Sequence, residues 1–388
     1  MSCKRWFAVT AVTAMLVGAV APASAAGDVV WHRSLDASFQ AVVTDANGHI
    51  YAAGFAPRGA DSPFGRPLVM VLAKFDPQGD RMWTRTWRSA EEGFLHAIGW
   101  DVAISPDGRT VYVGGAQIGD SWEYSRPRLW AFSSAGALRW TRAMPIGGMV
   151  DAVAGRSAGV VAAGYGWLGA WSRDGRSRWR TVEPGVVRSV SVGADGAIYS
   201  VGFIGRLPRS VTEIAPDAAL DPSNYVDADV MLTKHTAFGV ARWVRVLADR
   251  PSSARGDDAA LAVDVAGRRV FVAGEAETQA DHRAWLARLS TDGHIVWTRR
   301  WGGSGSAVSA VDVATSPWGP VYVVSDRRRS PALVLRAYAP ASGAPVSTAT
   351  MRLTTHEVAT AVMTGWGKAL YVSAREFAVS GDLWRLGL

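Results

Sequence analysis

The sequence predicts an all-β chain folded as a seven-bladed β-propeller of four-stranded blades, closed by an N-terminal strand that completes the last blade. Three observations carry this expectation. A unit of four short strands recurs along the chain, a five-residue mark within it recurs seven times, and the final unit lacks a strand that is found at the opposite end of the sequence.

The unit is cleanest between Leu261 and Trp301. An alternating run, Leu261 to Val265, ends in a Gly turn and VFVAG follows, Val270 to Gly274; after a polar loop come AWLARLS, Ala284 to Ser290, a TDG turn, and HIVWTRRW, His294 to Trp301. Short β-branched and aromatic runs separated by Gly or Asp-Gly turns at even spacing mark a repeated β architecture. Counterparts of VFVAG are IYAAG (Ile50 to Gly54), VYVGG (Val111 to Gly115), VVAAG (Val160 to Gly164), IYSVG (Ile198 to Gly202), VYVVS (Val321 to Ser325) and LYVSA (Leu370 to Ala374). The runs before them end at Gly48, Gly108, Gly159, Gly196, Gly319 and Gly367, where a positive φ suits a tight hairpin. The seventh unit reaches Leu388 after its third strand, and VVWHRSL, Val29 to Leu35, has the Trp and Arg of a fourth. Closing the ring with it removes two exposed sheet edges.

Ahead of that strand lies a leader. Lys4 and Arg5 precede an apolar stretch from Phe7 to Ala21 and a small-residue pattern ending at Ala25, which reads as a secretory signal peptide of residues 1–25. Residues 26–388 then form a single domain, secreted and not inserted in a membrane after cleavage. Cys3 is the one cysteine, so the mature domain has no disulfide and relies on the core that roughly 360 residues, at 48% hydrophobic, can bury. Loss of Lys4 and Arg5 lowers the formal charge by two, from +7 to +5, dispersed over the repeats. No basic stripe interleaved with aromatics appears, and nucleic acid is not expected as a partner.

The run from Ala287 to Ser306, ARLSTDGHIVWTRRWGGSGS, with AVDVAGRRVFVAG before it, resembles the secreted bacterial β-propeller repeats. LAKFDPQGDRMWTRTW (Leu72 to Trp87) and AFSSAGALRWTRAM (Ala131 to Met144) are similar to the Trp-docking repeats of quinoprotein-like propellers. The resemblance implies that the turn glycine is followed by a tryptophan wedged between adjacent blades. Quinoprotein enzymes of that type commonly set an adjacent-cysteine disulfide and a calcium against their cofactor. The mature chain has no cysteine and no matching acidic cluster, so no cofactor and no metal is expected.

Of the 18 tryptophans, Trp31, Trp83, Trp140, Trp179, Trp243 and Trp297 fall at one place in successive repeats. Burying an indole removes about 150–250 Å² from water, so blade docking accounts for them better than ligand stacking. In most repeats an arginine follows two places on and is expected over a neighbouring ring or beside a carboxylate.

Function is sought where insertions gather on one face: Phe203 to Ala228, Ala116 to Pro127, Ala56 to Pro67 and Trp87 to Gly99. Aligned on the turn glycine, one position at the channel end of the first strands holds Gln40, Trp100, Asp151 and Arg188, and then Ala259, Val311 and Ala359. The four polar and aromatic groups on one side of a mouth are the expected ligand-binding residues. The competing expectation is that Asp151 and Arg188 pair across adjacent blades. H-E-x-x-H, G-x-S-x-G, Walker-type and Cys/His ligand patterns are missing, so no catalytic residue is assigned. His96 with Glu91 or Glu92, and His282 with Asp281 and Glu277, are the histidine–carboxylate groupings within reach of each other in sequence. The reading that follows is a secreted, monomeric, non-catalytic binding or scaffold propeller for an extracellular polymer or protein ligand. The alternative is a propeller-type enzyme, a quinoprotein-like oxidoreductase or a lyase or hydrolase acting at the channel mouth.

Overall fold

The computed structural model describes residues 29–58, 67–119, 124–144, 148–206, 226–247, 258–277, 282–303, 308–316, 319–327, 332–352, 358–365, 369–376 and 380–387. The leader therefore lies outside the described residues, as do most of the Ala56 to Pro67 and Phe203 to Ala228 insertions.

Every regular element among the described residues is a β-strand, and every hydrogen-bonded pair of strands runs antiparallel. The first sheet takes Ser38–Thr44, Ile50–Pro57, Leu68–Phe75 and Arg81–Trp87, in chain order from the axis outward. The second takes Phe94–Ile104, Thr110–Gly119, Ser125–Ser133 and Leu138–Ala143. Burial grades along this order. The strand Leu68–Phe75 is buried at every residue, whereas Arg81–Trp87 is exposed or half-buried throughout. Apolar clusters join each sheet to the next and close the ring. Phe39, Val42 and Ile50 of the first sheet pack with Tyr371 and Leu383 of the last, and Leu333 and Leu335 of the sheet before it pack with Leu370 and Trp384.

Closure uses the predicted segment. Val29–Leu35 pairs antiparallel with Ser380–Gly387, with Trp31 opposite Arg385 and Arg33 opposite Leu383. The His32 ring stacks on Trp384 with centroids 5.0 Å apart.

The expectation of seven four-stranded blades is corrected. The hydrogen-bonded ladders form six sheets, five of four strands and one of six, so this is a β-propeller of six sheets. The six-stranded sheet holds two sequence repeats. Ser177–Val192 runs unbroken for 16 residues; its first half pairs with Trp167 to Trp171, and its second half pairs with Ile198 to Phe203. At the joint, Tyr165 lies opposite Val186, so the ladder continues where other repeats break it. The strand before it, Gly159–Ser172, pairs with Ala152–Arg156 through Gly159 to Ala163 and with Ser177–Val192 through Tyr165 to Trp171, with Gly166 at a φ of +74° between Ala163 and Trp167 of its own repeat. Repeat spacing counts units of sequence; the number of sheets depends on whether the link between two units keeps its hydrogen bonds.

The six repeated tryptophans each lie against the hairpin turn of the next repeat. Trp31 Nε1 donates to Pro77 O (3.1 Å), Trp140 to Arg173 O (2.7 Å), Trp243 to Thr291 O (3.3 Å) and Trp297 to Pro340 O (3.3 Å). Trp83 meets the turn at Gly136, and Trp179 meets the turn at Gly239. The approach is close enough to require glycine: at Gly175, with φ of +78°, a Cβ would sit 2.7 Å from the Trp140 ring. The arginine two places on covers its own indole and donates to the same turn, as Arg142 does at 5.7 Å from the Trp140 ring and 2.8 Å from Gly175 O.

Candidate functional site

Gln40, Trp100 and Arg188 each occupy a β-bulge at the same point of an innermost strand. The register skips one residue between Phe39 and Ala41, between Gly99 and Asp101, and between Val187 and Ser189. Asp151 stands at the equivalent place, its N–H bonded to Ala163 O (2.9 Å) just before the Ala152–Ala163 pair. A bulge leaves its extra residue out of the ladder and re-aims the side chain. It also explains the glycine that ends the repeated mark. In the five repeats whose mark ends in glycine a backbone carbonyl lies against it; at Gly54 a Cβ would lie 2.0 Å from Ser38 O.

Of the other three repeats, one places the expected residue, Val311, at the bulge and two place different ones. The extra residues are Leu261, Val311 and Thr360, so Ala259 and Ala359 are displaced from the ring. The mouth is asymmetric all the same. Trp100 and Leu261 are half-buried against a cluster that includes Phe55, Ile98, Met149 and Phe203, drawn from several sheets around the axis.

The four side chains have different surroundings. Gln40 is buried, and its Nε2 donates to Ser38 Oγ (3.0 Å) within its own strand. Asp151 is 3% exposed, and neither carboxylate oxygen has a hydrogen-bond partner in the protein. Arg188 is half-buried, with Nε and Nη1 buried and equally without a partner. The two feel each other's charge, but no hydrogen bond joins them. Burial pushes the Asp151 carboxyl up to about 8; Arg188 works against that rise and the Asp101 charge adds to it.

Asp101 was not singled out from the sequence, yet it fastens the second repeat to the third. Its Oδ1 accepts from Val102 N–H and its Oδ2 from Val153 N–H, both at 2.7 Å. Burial raises its pKa to about 7 against those two hydrogen bonds. Asp264 does the same farther round, accepting from Val265 N–H (2.8 Å), Thr315 N–H (2.7 Å) and Thr315 Oγ1 (2.7 Å). The signal was present as the repeated Asp-Val-Ala at Asp101, Asp264 and Asp312.

His96 Nδ1 accepts from Leu68 N–H (3.2 Å), while Glu91 pairs with Arg126 (2.5 Å) and Arg128 (2.6 Å). Glu277 and His282 are backbone partners in the ladder, and Asp281 lies outside the described residues. A histidine–carboxylate pair forms elsewhere: Glu183 and His235, both buried, meet at 2.9 Å between Oε1 and Nε2. Glu183 borders a cleft of about 140 Å³ beside Tyr165, Pro184 and Phe203. Among the described residues, no group of three or more His, Cys, Asp or Glu is gathered to hold a metal ion.

The chain shares its architecture with solved propellers. It is similar to the Pseudomonas aeruginosa periplasmic gluconolactonase PpgL, at 16% identity over 81% of this chain and 85% of that one, with a TM-score of 0.54. It is also similar to Kuenenia stuttgartiensis hydrazine synthase, at 10% identity over 87% and 92% (TM-score 0.54), and to the Neurospora crassa Pan2 WD40 domain, at 9% over 90% and 89% (0.51). The chain is a β-propeller. No protein-family model matches it, and no curated protein matches it in sequence. Likeness at these identities establishes the fold and leaves function to the site.

Proposed function

We propose that this propeller is an exported, monomeric binding or scaffold protein that takes an extracellular polymer or protein ligand at the mouth ringed by Gln40, Trp100, Asp151 and Arg188. The leader of residues 1–25 directs export and is removed, and residues 26–388 act as one domain. One observation carries the reading. Asp151 and Arg188 stand at equivalent points of adjacent inner strands, and both hold buried polar atoms that the protein itself leaves unpaired. Leaving such groups unsatisfied costs about 1–3 kcal/mol each, and a ligand that meets them recovers it. An unbiased glycan and protein screen on the mature chain, repeated with Arg188→Gln and Asp151→Ala, tests it. Hits should lose affinity in both variants while the melting curves stay cooperative; hits indifferent to both changes would place binding elsewhere.

One observation favours the enzyme reading in second place. A buried carboxyl that titrates near neutral pH beside an arginine suits acid–base work by a lyase or hydrolase at the mouth. Turnover of a screened ligand that disappears with Asp151→Asn would promote it.

A further inference from the structure

The junction between the third and fourth repeats is polar at positions that the others fill with apolar residues. Four places after each docking tryptophan stand Leu35, Trp87, Met144, Leu247 and Trp301, but at this junction the residue is Glu183. Opposite the first residue of the mark lie Phe75, Phe132, Leu289, Tyr338 and Leu386, but in the fourth repeat His235. The middle residue of the mark is alanine or valine in six repeats and Ser200 in this one. The exchange is matched in space. Trp301 packs on Tyr338 with centroids 6.0 Å apart, and at the corresponding place Glu183 Oε1 meets His235 Nε2 at 2.9 Å. Glu183 Oε2, His235 Nδ1, Ser200 Oγ and the Oγ1 of Thr233, which lies opposite Ser200, are buried without a hydrogen-bond partner. Polar groups set against the pattern of their own repeat point to function, because packing alone would not place them there.

The cleft of about 140 Å³ opens at the same junction. Glu183 lines it with Tyr165, which is 51% exposed, and with Pro184 and Phe203. We propose that this cleft binds a neutral pyranose sugar unit, whose carbon–hydrogen face lies on Tyr165 while one hydroxyl donates to Glu183. A carboxyl stands where the fifth repeat has an indole, so the ligand supplies the ring that other junctions supply themselves. Tyr165 and Pro184 offer apolar surface and Glu183 an acceptor that fixes orientation, the usual division of labour in a small-molecule site. His235 is a positioning residue, set against one carboxyl oxygen of Glu183 while the other has no partner in the protein. A quaternary ammonium ion is the other class that a carboxyl and an aromatic ring attract. Such an ion is held by rings on several sides, and Tyr165 is the one exposed ring of this lining. None of Gln40, Trp100, Asp151 and Arg188 lines the cleft, so sugar binding here is independent of the mouth.

The test is saturation-transfer NMR on the full mature chain with glucose, galactose and mannose, and with choline as the cationic counterpart. At least one hexose should bind, and choline should not. Tyr165→Ala, at an exposed position, should weaken that hexose at least about tenfold, whereas Tyr165→Phe should keep it. Glu183→Trp, which installs the residue of the fifth repeat, should abolish binding; combined with His235→Tyr it should do so with a melting temperature no lower than the native one. Arg188→Gln should leave hexose affinity unchanged. Choline binding, with or without a hexose, would overturn the sugar class. Hexose binding that survives both Tyr165→Ala and Glu183→Trp would overturn the cleft as its site; if that binding is lost with Arg188→Gln, the sugar is taken at the mouth, whose reading then stands while this one falls. No binding by any of the three hexoses would overturn the proposal.

Discussion

The Asp151→Asn substitution separates a sequestered carboxyl from an ion pair by the sign of a pH effect. In the unfolded chain this group ionises near pH 3.9, the ordinary value; in the fold it holds its proton up to about 8. Between those limits the unfolded state binds fewer protons than the folded state, so stability must fall as pH rises through the window. One pKa unit corresponds to 1.36 kcal/mol, and a shift of this size amounts to about 3–5 kcal/mol once partial relaxation of the buried site is allowed for. Asparagine imitates the neutral carboxyl in shape and has no charge to bury. Urea unfolding of both proteins at intervals from pH 4.5 to pH 8.5 should therefore show the variant gaining on the native protein by about that amount. Asp101, whose pKa is raised to about 7, adds its own slope and its charge feeds the Asp151 rise, so the pair is compared in the Asp101→Asn background as well. A flat difference would mean that Asp151 titrates normally and is not sequestered. A difference of opposite sign would mean that Arg188 holds it ionised as a pair, and the free carboxyl on which the site depends would not exist.

Four further outcomes follow from the packing. Trp297→Ala should cost about 3–5 kcal/mol in chemical denaturation, because it empties the wedge under the Pro340 to Gly343 turn, whereas Ile295→Thr, at a position 50% exposed, should change stability by no more than about half a kcal/mol. Deleting residues 29–35 bares the outer edge of the last sheet and should lower the melting temperature sharply with aggregation; an unchanged melt would contradict closure by this strand. Gly54→Ala should lower the melting temperature, since its Cβ would collide with Ser38 O unless the two strands shift apart. His235→Leu leaves the buried Glu183 carboxyl without its ion contact and should cost about 3–5 kcal/mol, while the double change with Glu183→Leu should recover most of it, read from a double-mutant cycle.

The strand rows and the docking tryptophans were legible because each repeats: a residue pattern that recurs at fixed offset averages out local ambiguity. Gln40, Trp100, Asp151 and Arg188 were found at one structural position because each precedes the turn glycine of its repeat by the same eight residues. Leu261 and Thr360 were missed by that same spacing. The turn glycine follows Leu261 by six residues and Thr360 by seven, not eight, so counting eight back along the sequence took Ala259 and Ala359 in their place. The sheet count was not legible, because the continuity of Ser177–Val192 depends on hydrogen bonds on both sides of a three-residue link and not on any residue type within it. The Glu183–His235 pair was hidden for a different reason. It joins two residues 52 positions apart that have no counterpart in the other repeats, and nothing in a single sequence brings such a pair together.

The most direct test of binding at the mouth is a crystal structure of the mature chain with the tightest ligand from the screen. The account predicts ligand density within hydrogen-bond distance of Arg188 Nε and Nη1 and of an Asp151 oxygen, with Trp100 at its side. Density confined to the outer strands or to the cleft beside Glu183, with Asp151 and Arg188 unchanged, would contradict it.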